Sequence, residues 1–309
     1  MTETTASTTG RFERPSERTG GDREQIRAES KHPLATRIAI VLACLLVILI
    51  AGYFSFTTWG IRHQSLDFTD TVRNRVIDVD VAVRWDTEMK ARAGMTKMPV
   101  AILSHGNTVK YTEYSFISNL MALRGYLVVC IQHDLPTDKE LVTQAGSLFV
   151  GRLQVYERGE KNILYTIEQL KKLYPYADYD NLTMIGHSNG GDISMFFAQQ
   201  HPGEVAKVVT LDNLRVPFLT GGGPKILSFR SKDWKPDPGV VPTDAEAKKA
   251  GIDIVHTDAQ HTQMSDRGPE SVKESIQSTL DKFLSDDSTS ALSPFKRKDL
   301  TTDIRAMGP

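Results

Sequence analysis

"NLTMIGHSNGGDISMFFAQQ", residues 181–200, runs from an apolar stretch through a glycine-bracketed serine into apolar residues at helical spacing. Residues 181–185 read as a strand covered on both faces, and about 190–201 as a helix. Between them Gly186, Ser188 and Gly190 fit G-x-S-x-G. About one chain in ten of this length would match that pattern by chance at ordinary glycine and serine usage, so the surroundings must decide. Strand, turn and helix in that order are the context a nucleophile elbow requires. A serine there sits in a tight, strained turn, and the residues two positions to either side must be small. The helix that follows points its N-terminus at the serine and offers backbone N–H groups to a developing oxyanion. The amide of Asn189 is one such donor.

Working outward, the chain has 309 residues, 40% of them hydrophobic and 24% charged, with a formal net charge of −1. That composition suits one domain of 200–250 residues with appendages, and a near-neutral charge gives no reason to expect nucleic acid. The two cysteines, Cys44 and Cys130, exclude a disulfide-rich scaffold and read as small buried hydrophobes.

Residues 1–33 are rich in Thr, Ser, Arg and Glu and read as a disordered polar tail, because they cannot bury enough surface to offset their ordering entropy. "IAIVLACLLVILIAGYFSF", residues 38–56, carries no charge, and the uncharged stretch continues to residue 61. At 1.5 Å per residue it spans a hydrocarbon core, with Tyr53, Phe54 and Trp59 suited to the interface. A transmembrane signal anchor over residues 34–61 is therefore expected. A cleaved signal peptide fits less well, since the apolar run is long and "AGYFSF" lacks an A-x-A site. Arg23, Arg27, Lys31 and Arg37 precede the span, while Arg62, Arg73 and Arg75 follow it. That bias predicts a single-pass protein with the bulk of the chain outside the cytoplasm.

From about residue 70 to 285 a folded domain is expected. "RVIDVDVAVRW" places Ile77, Val79, Val81 and Val83 on one face and Asp78 and Asp80 on the other, the period of a half-exposed strand near a sheet edge. "VAILSHG", "YLVVCIQHD", "NLTMIGHS", "VAKVVTLD", "KILSFRS" and "IDIVHTD" are nearly continuous apolar runs, and helical patterns separate most of them. This alternation implies a doubly wound, mainly parallel sheet. Residues 286–309 read as a polar tail.

Ligands of an open parallel sheet bind beyond the carboxyl ends of its strands. Those ends carry Ser104-His105-Gly106-Asn107, His133-Asp134, His187-Ser188, Asp212-Asn213, Ser231-Lys232-Asp233, and then His256 to His261. The Asn107 amide in "ILSHGNT" is a second oxyanion donor, with Gly106 admitting close approach and His105 bracing the loop. His261, just past the last strand, is the candidate general base. His256 ends that strand and reads as structural. A metal site from His256, Asp258 and His261 is weak, because no helix fixes their spacing. Asp212, Asp233 and Asp237 all lie where an acid could orient His261.

With these residues in place, the chain resembles the serine α/β-hydrolases over residues 75–284. It is most similar to the dienelactone hydrolase and platelet-activating-factor acetylhydrolase-like esterases. "LSHGNT" resembles their oxyanion loop, and "LDNLRVP" resembles the stretch where the acetylhydrolases place their acid. The resemblance implies the α/β-hydrolase fold, a Ser188–His261–Asp212 triad acting on a small-molecule ester, and no cofactor. Many other α/β-hydrolases take the acid after the next strand, which would be Asp233. Dienelactone hydrolases proper use a cysteine nucleophile, and Ser188 departs from them toward ordinary esterase chemistry. A lipid-directed hydrolase and a non-catalytic binding scaffold are the rival expectations. Leu148, Phe149 and Val150, with Val216, Pro217 and Phe218, are candidate apolar walls.

Overall fold

The computed structural model describes residues 34–285, so the two expected polar tails lie outside the described residues. The chain separates into two compact units, residues 1–55 and 56–309. In the first lies most of helix α1, Leu34–Trp59. Its residues Leu34–Tyr53 make a helix long and apolar enough to cross a membrane. At 1.5 Å per residue this stretch is about 30 Å long, the thickness of a bilayer core.

The second unit is built on one eight-stranded sheet in the order β1-β2-β4-β3-β5-β6-β7-β8. Its strands are β1 (Ile61–Asp70), β2 (Arg75–Arg84), β3 (Met98–Ser104), β4 (Leu127–Ile131), β5 (Ala177–His187), β6 (Val205–Leu211), β7 (Lys225–Arg230) and β8 (Ile252–His256). β1 and β2 run antiparallel, β2 and β4 likewise, and every other pairing is parallel. The helices after α1 are α2 (Trp85–Arg92), α3 (Ser115–Leu123), α4 (Leu153–Leu173), α5 (Asn189–Gln200), α6 (Asp244–Ala250) and α7 (Glu270–Ser285).

Alternation along each strand sends residues into two separate cores. Val100 and Ile102 of β3, with Leu127 and Val129 of β4, meet Tyr156, Ile163 and Leu170 of α4 and Ile193 and Phe197 of α5. Ala101, Leu103, Val128 and Cys130 point the other way, to Ile117, Leu120 and Met121 of α3 and Ile276, Leu280 and Phe283 of α7. Both faces are covered, which is why these strands are apolar throughout instead of alternating. Each fully buried Leu, Ile, Val or Phe contributes about 1.5–3 kcal/mol.

The sheet starts earlier than residue 70. β1, "IRHQSLDFTD", pairs along its whole length with β2, so this unit's first strand begins at Ile61. β2 is consequently the second strand and not a half-exposed one: Asp80, expected on the open face, is buried and bonded to His63 of β1 at 2.8 Å. β1 itself was not read from the sequence, because its alternation follows directly on the apolar run. Helix α2 was missed too. Its eight residues, "WDTEMKAR", bury only Thr87, Glu88 and Ala91 and leave no apolar stripe to read.

Candidate active site

The parallel strands deliver their carboxyl ends to one edge, and Ser188 stands where β5 turns into α5. Its backbone is left-handed, with φ 53° and ψ −119°. That conformation costs a non-glycine residue about 1–3 kcal/mol and persists only where its surroundings over-determine it. Here they do. The Ser188 N–H donates to the Leu211 carbonyl of β6 at 2.8 Å, and the Ser188 carbonyl accepts from Asp192. A Cβ on Gly186 would lie 2.1 Å from the Gly190 carbonyl oxygen, and one on Gly190 would lie 2.1 Å from the Ser104 carbonyl oxygen. The first turn of α5 therefore presses on both β5 and the end of β3, and only glycine fits at either position.

His261 Nε2 lies 2.8 Å from Ser188 Oγ, and its Nδ1 lies 2.6 Å from Asp212 Oδ2. Asp212 is fully buried at the end of β6, and it too has a left-handed φ, of 59°. Its Oδ2 also accepts the Ser231 hydroxyl at 2.6 Å, its Oδ1 accepts the Ser231 N–H at 3.1 Å, and Arg230 Nη2 stands 3.0 Å from Oδ1. Burial alone would raise this carboxyl. The His261 hydrogen bond, the Arg230 charge and the Ser231 donors outweigh it and hold the group below its usual range.

Asp233 takes a different place: its carboxylate accepts the backbone N–H of His261 at 2.8 Å. Asp237 pairs with Arg215, away from His261. The segment after Asp212 is fixed by Asp192 of α5, whose Oδ1 accepts the amides of Leu214, Arg215 and Val216 at 3.1, 2.8 and 2.9 Å. The residue after Asp233 completes the setting of the imidazole. Trp234 stacks on the His261 ring with centroids 4.3 Å apart and planes 10° from parallel, while remaining 48% exposed.

Asn189 is the first residue of α5, and Asn107 follows Gly106 beyond β3. Neither backbone amide has an acceptor among the described residues. His105 is a brace, as expected: buried, it bonds the Gly106 carbonyl through Nδ1 at 2.8 Å and accepts the His133 N–H at Nε2 at 2.9 Å. The expected apolar walls divide: Val216 and Phe218 are buried and Phe149 packs edge-on against Tyr156 and Phe196, whereas Leu148 and Pro217 are exposed. His256 ends β8, and both ring nitrogens of His261 are engaged by Asp212 and Ser188, which leaves no shared ligand set with Asp258.

Several residues at this edge carried no readable signal. Trp234, Arg230 and Asp192 lie in ordinary-looking sequence, and Tyr114 immediately precedes α3. His187 occupies the unspecified position of G-x-S-x-G, so the pattern is silent about it.

The family described as platelet-activating factor acetylhydrolase, isoform II, matches residues 60–139. No curated protein matches the chain in sequence at a significant level. Among solved structures, a thermophilic esterase from Thermogutta terrifontis, captured with butyrate, is similar with a TM-score of 0.54 at 10% identity, over 74% of this chain and 96% of its own. An acylaminoacyl peptidase from Pyrococcus horikoshii gives 0.51 at 13%, over 78% of this chain and 44% of its own. An S-formylglutathione hydrolase from Agrobacterium tumefaciens gives 0.48 at 16%, over 72% and 95%.

Proposed function

We propose that this chain, which has the α/β-hydrolase fold, is a membrane-anchored serine hydrolase of carboxylic esters. The observation that carries the proposal is the continuous line Asp212–His261–Ser188, at 2.6 and 2.8 Å, ending on a serine held in a left-handed turn.

Ser188 Oγ attacks the ester carbonyl carbon while His261 Nε2 takes its proton. Asp212 keeps the Nδ1–H tautomer in place and stabilises the imidazolium. The amides of Asn107 and Asn189 receive the oxyanion, and removing such a donor costs about 3–4 kcal/mol in a comparable hole. Collapse expels the alcohol, which takes the proton back from His261 Nε2. Water then attacks the acyl-enzyme by the same route, releasing the acid and regenerating Ser188.

The apolar helix Leu34–Tyr53 supports an anchor, with residues 56–285 as the catalytic domain, and the four-to-three bias of arginine and lysine weakly favours an extracytoplasmic domain. Protease added to intact spheroplasts should digest the domain. Full protection would reverse the orientation, and release of a soluble domain would mean cleavage. An anchor of this kind also keeps the cleft beside a bilayer, which favours lipid esters as the second reading. Labelling with a fluorophosphonate probe, followed by turnover of soluble and vesicle-borne esters, tests both. A folded protein that neither labels nor turns over any ester is a binding scaffold.

A further inference from the structure

We infer that Tyr114 is a positioning residue that couples the oxyanion loop to the loop carrying the base, through His187. The inference rests on the triad reading above and concerns what holds its parts in register.

Three hydrogen bonds of 2.9 Å form a buried strap: Gly106 N–H to Tyr114 Oη, Tyr114 Oη to His187 Nδ1, and His187 Nε2 to the His261 carbonyl. Their direction is forced. A backbone N–H can only donate and a carbonyl can only accept, so His187 carries its proton on Nε2. Its Nδ1 must then accept, and the single Tyr114 proton goes there. Burial pushes His187 down to about 3, with the neighbouring His261 adding to the effect, so the ring holds one proton across the neutral range.

The strap touches all three loops of the site. Gly106 adjoins Asn107, His187 adjoins Ser188, and the carbonyl belongs to His261 itself. Tyr114 is 1% exposed and His187 2%, so water cannot substitute for a missing partner without opening the core. The strap also gives a reason for glycine at 106: a Cβ there would stand 2.7 Å from His187 Nδ1 and 3.3 Å from Tyr114 Oη. Outside, the same two loops are stitched again. The Asp266 carboxylate accepts the Ser115 amide at 2.8 Å at the start of α3, and Arg267 bonds Glu113 and the Thr108 carbonyl. Those outer bonds are solvent-exposed and weak, which leaves the dry strap to set the register.

Without the Tyr114 hydroxyl, the Gly106 N–H loses its acceptor and His187 Nδ1 its donor, so the oxyanion loop is no longer tied to the ring that holds the His261 carbonyl. Oxyanion donors act only within a few tenths of an ångström of their ideal distance, so loss of register lowers transition-state binding more than ground-state binding.

The test is Tyr114→Phe in the full chain. Its kcat on a soluble ester should fall about 10- to 100-fold with KM within about twofold, at unchanged folded fraction. A kcat within about twofold of the parent, or a change in KM alone, overturns the inference. Nitrogen-15 NMR of the unmutated protein supplies an independent readout if the variant misfolds: His187 must be the Nε2–H tautomer, and the Nδ1–H form overturns the strap. Exchange of the Gly106 amide should accelerate in Tyr114→Phe, and unchanged exchange also counts against it. If the unmutated protein turns over no ester, the triad reading fails, while the tautomer and exchange readouts still decide the strap.

Discussion

Two serine–histidine pairs lie at the same edge of the sheet, and only one of them has the surroundings of a nucleophile. Ser104 Oγ is 2.9 Å from His133 Nε2, as close in practice as Ser188 Oγ is to His261 at 2.8 Å. The inner pair is sealed, with Ser104 0% and His133 1% exposed. His133 Nδ1 has no partner among the described residues, where His261 Nδ1 has the Asp212 carboxylate. Ser104 ends an ordinary strand; Ser188 sits in a left-handed turn at a helix N-terminus. Burial, with His105 and the Arg158 and Arg75 charges adding to it, pushes His133 well below its usual range, so it cannot readily take a proton. A short Ser–His distance is thus a common hydrogen bond. The acid behind the ring and the strain beneath the serine make the difference.

The largest effect should separate the two serines outright. Ser188→Ala is expected to abolish fluorophosphonate labelling and to lower ester hydrolysis by several orders of magnitude, while Ser104→Ala labels as the parent does. Undiminished labelling of Ser188→Ala would end the comparison. Next come the acids behind the outer ring. Asp212→Asn should lower kcat by up to about 10⁴-fold with little change in KM, since it spoils the tautomer. Asp233→Asn, at a carboxylate that accepts the His261 main-chain N–H, should cost less than about tenfold. The reverse order, measured in matched folded samples, would move the acid to the next strand.

The inner histidines should show themselves in stability, not in turnover. Burial lowers His105, His133 and His187 in the folded protein, so below pH 6.5 the unfolded chain binds more protons. Their contribution is therefore complete above about pH 6.5 and is lost as pH falls toward the folded value, about 3 for His187. Each can contribute a slope of up to about 1.4 kcal/mol per pH unit. Urea midpoints should drop steeply from pH 7 to pH 5, and His133→Gln should flatten that drop if it folds. A flat profile in the parent would mean the inner rings are not dry. The smallest effect belongs to the outer stitching: Asp266→Ala removes the cap on α3 and should cost about 1 kcal/mol in chemical denaturation. Its kcat should stay within a few-fold, and a larger loss would show that exposed bonds set the register after all.

Much of this arrangement was legible in the sequence, for identifiable reasons. Glycine two residues either side of Ser188 and apolar runs on both flanks are local signals, and close approach leaves no alternative residue. His261 stood out because no histidine but His256 competes for a late position. Asp212 rests on its place at the end of "VAKVVTLD" together with the resemblance of "LDNLRVP"; Asp233 also follows a strand, and only three-dimensional contact separates a carboxylate on Nδ1 from one on the main-chain N–H. Trp234 and Tyr114 were invisible because stacking and a long-range hydroxyl bond leave no periodicity. β1 was lost behind the apolar run that precedes it.

Trp234 has a consequence beyond shaping the site. The chain has three tryptophans, at positions 59, 85 and 234, and one of them lies flat against the His261 ring. An indole in face contact with an imidazole feels that ring gain a charge, through the same quadrupole that attracts cations. The indole is also half exposed, so its outer edge meets solvent. The site thus carries its own optical gauge. Emission from Trp234, isolated by comparison with Trp234→Phe, should therefore follow the charge of the His261 ring with no chromogenic ester.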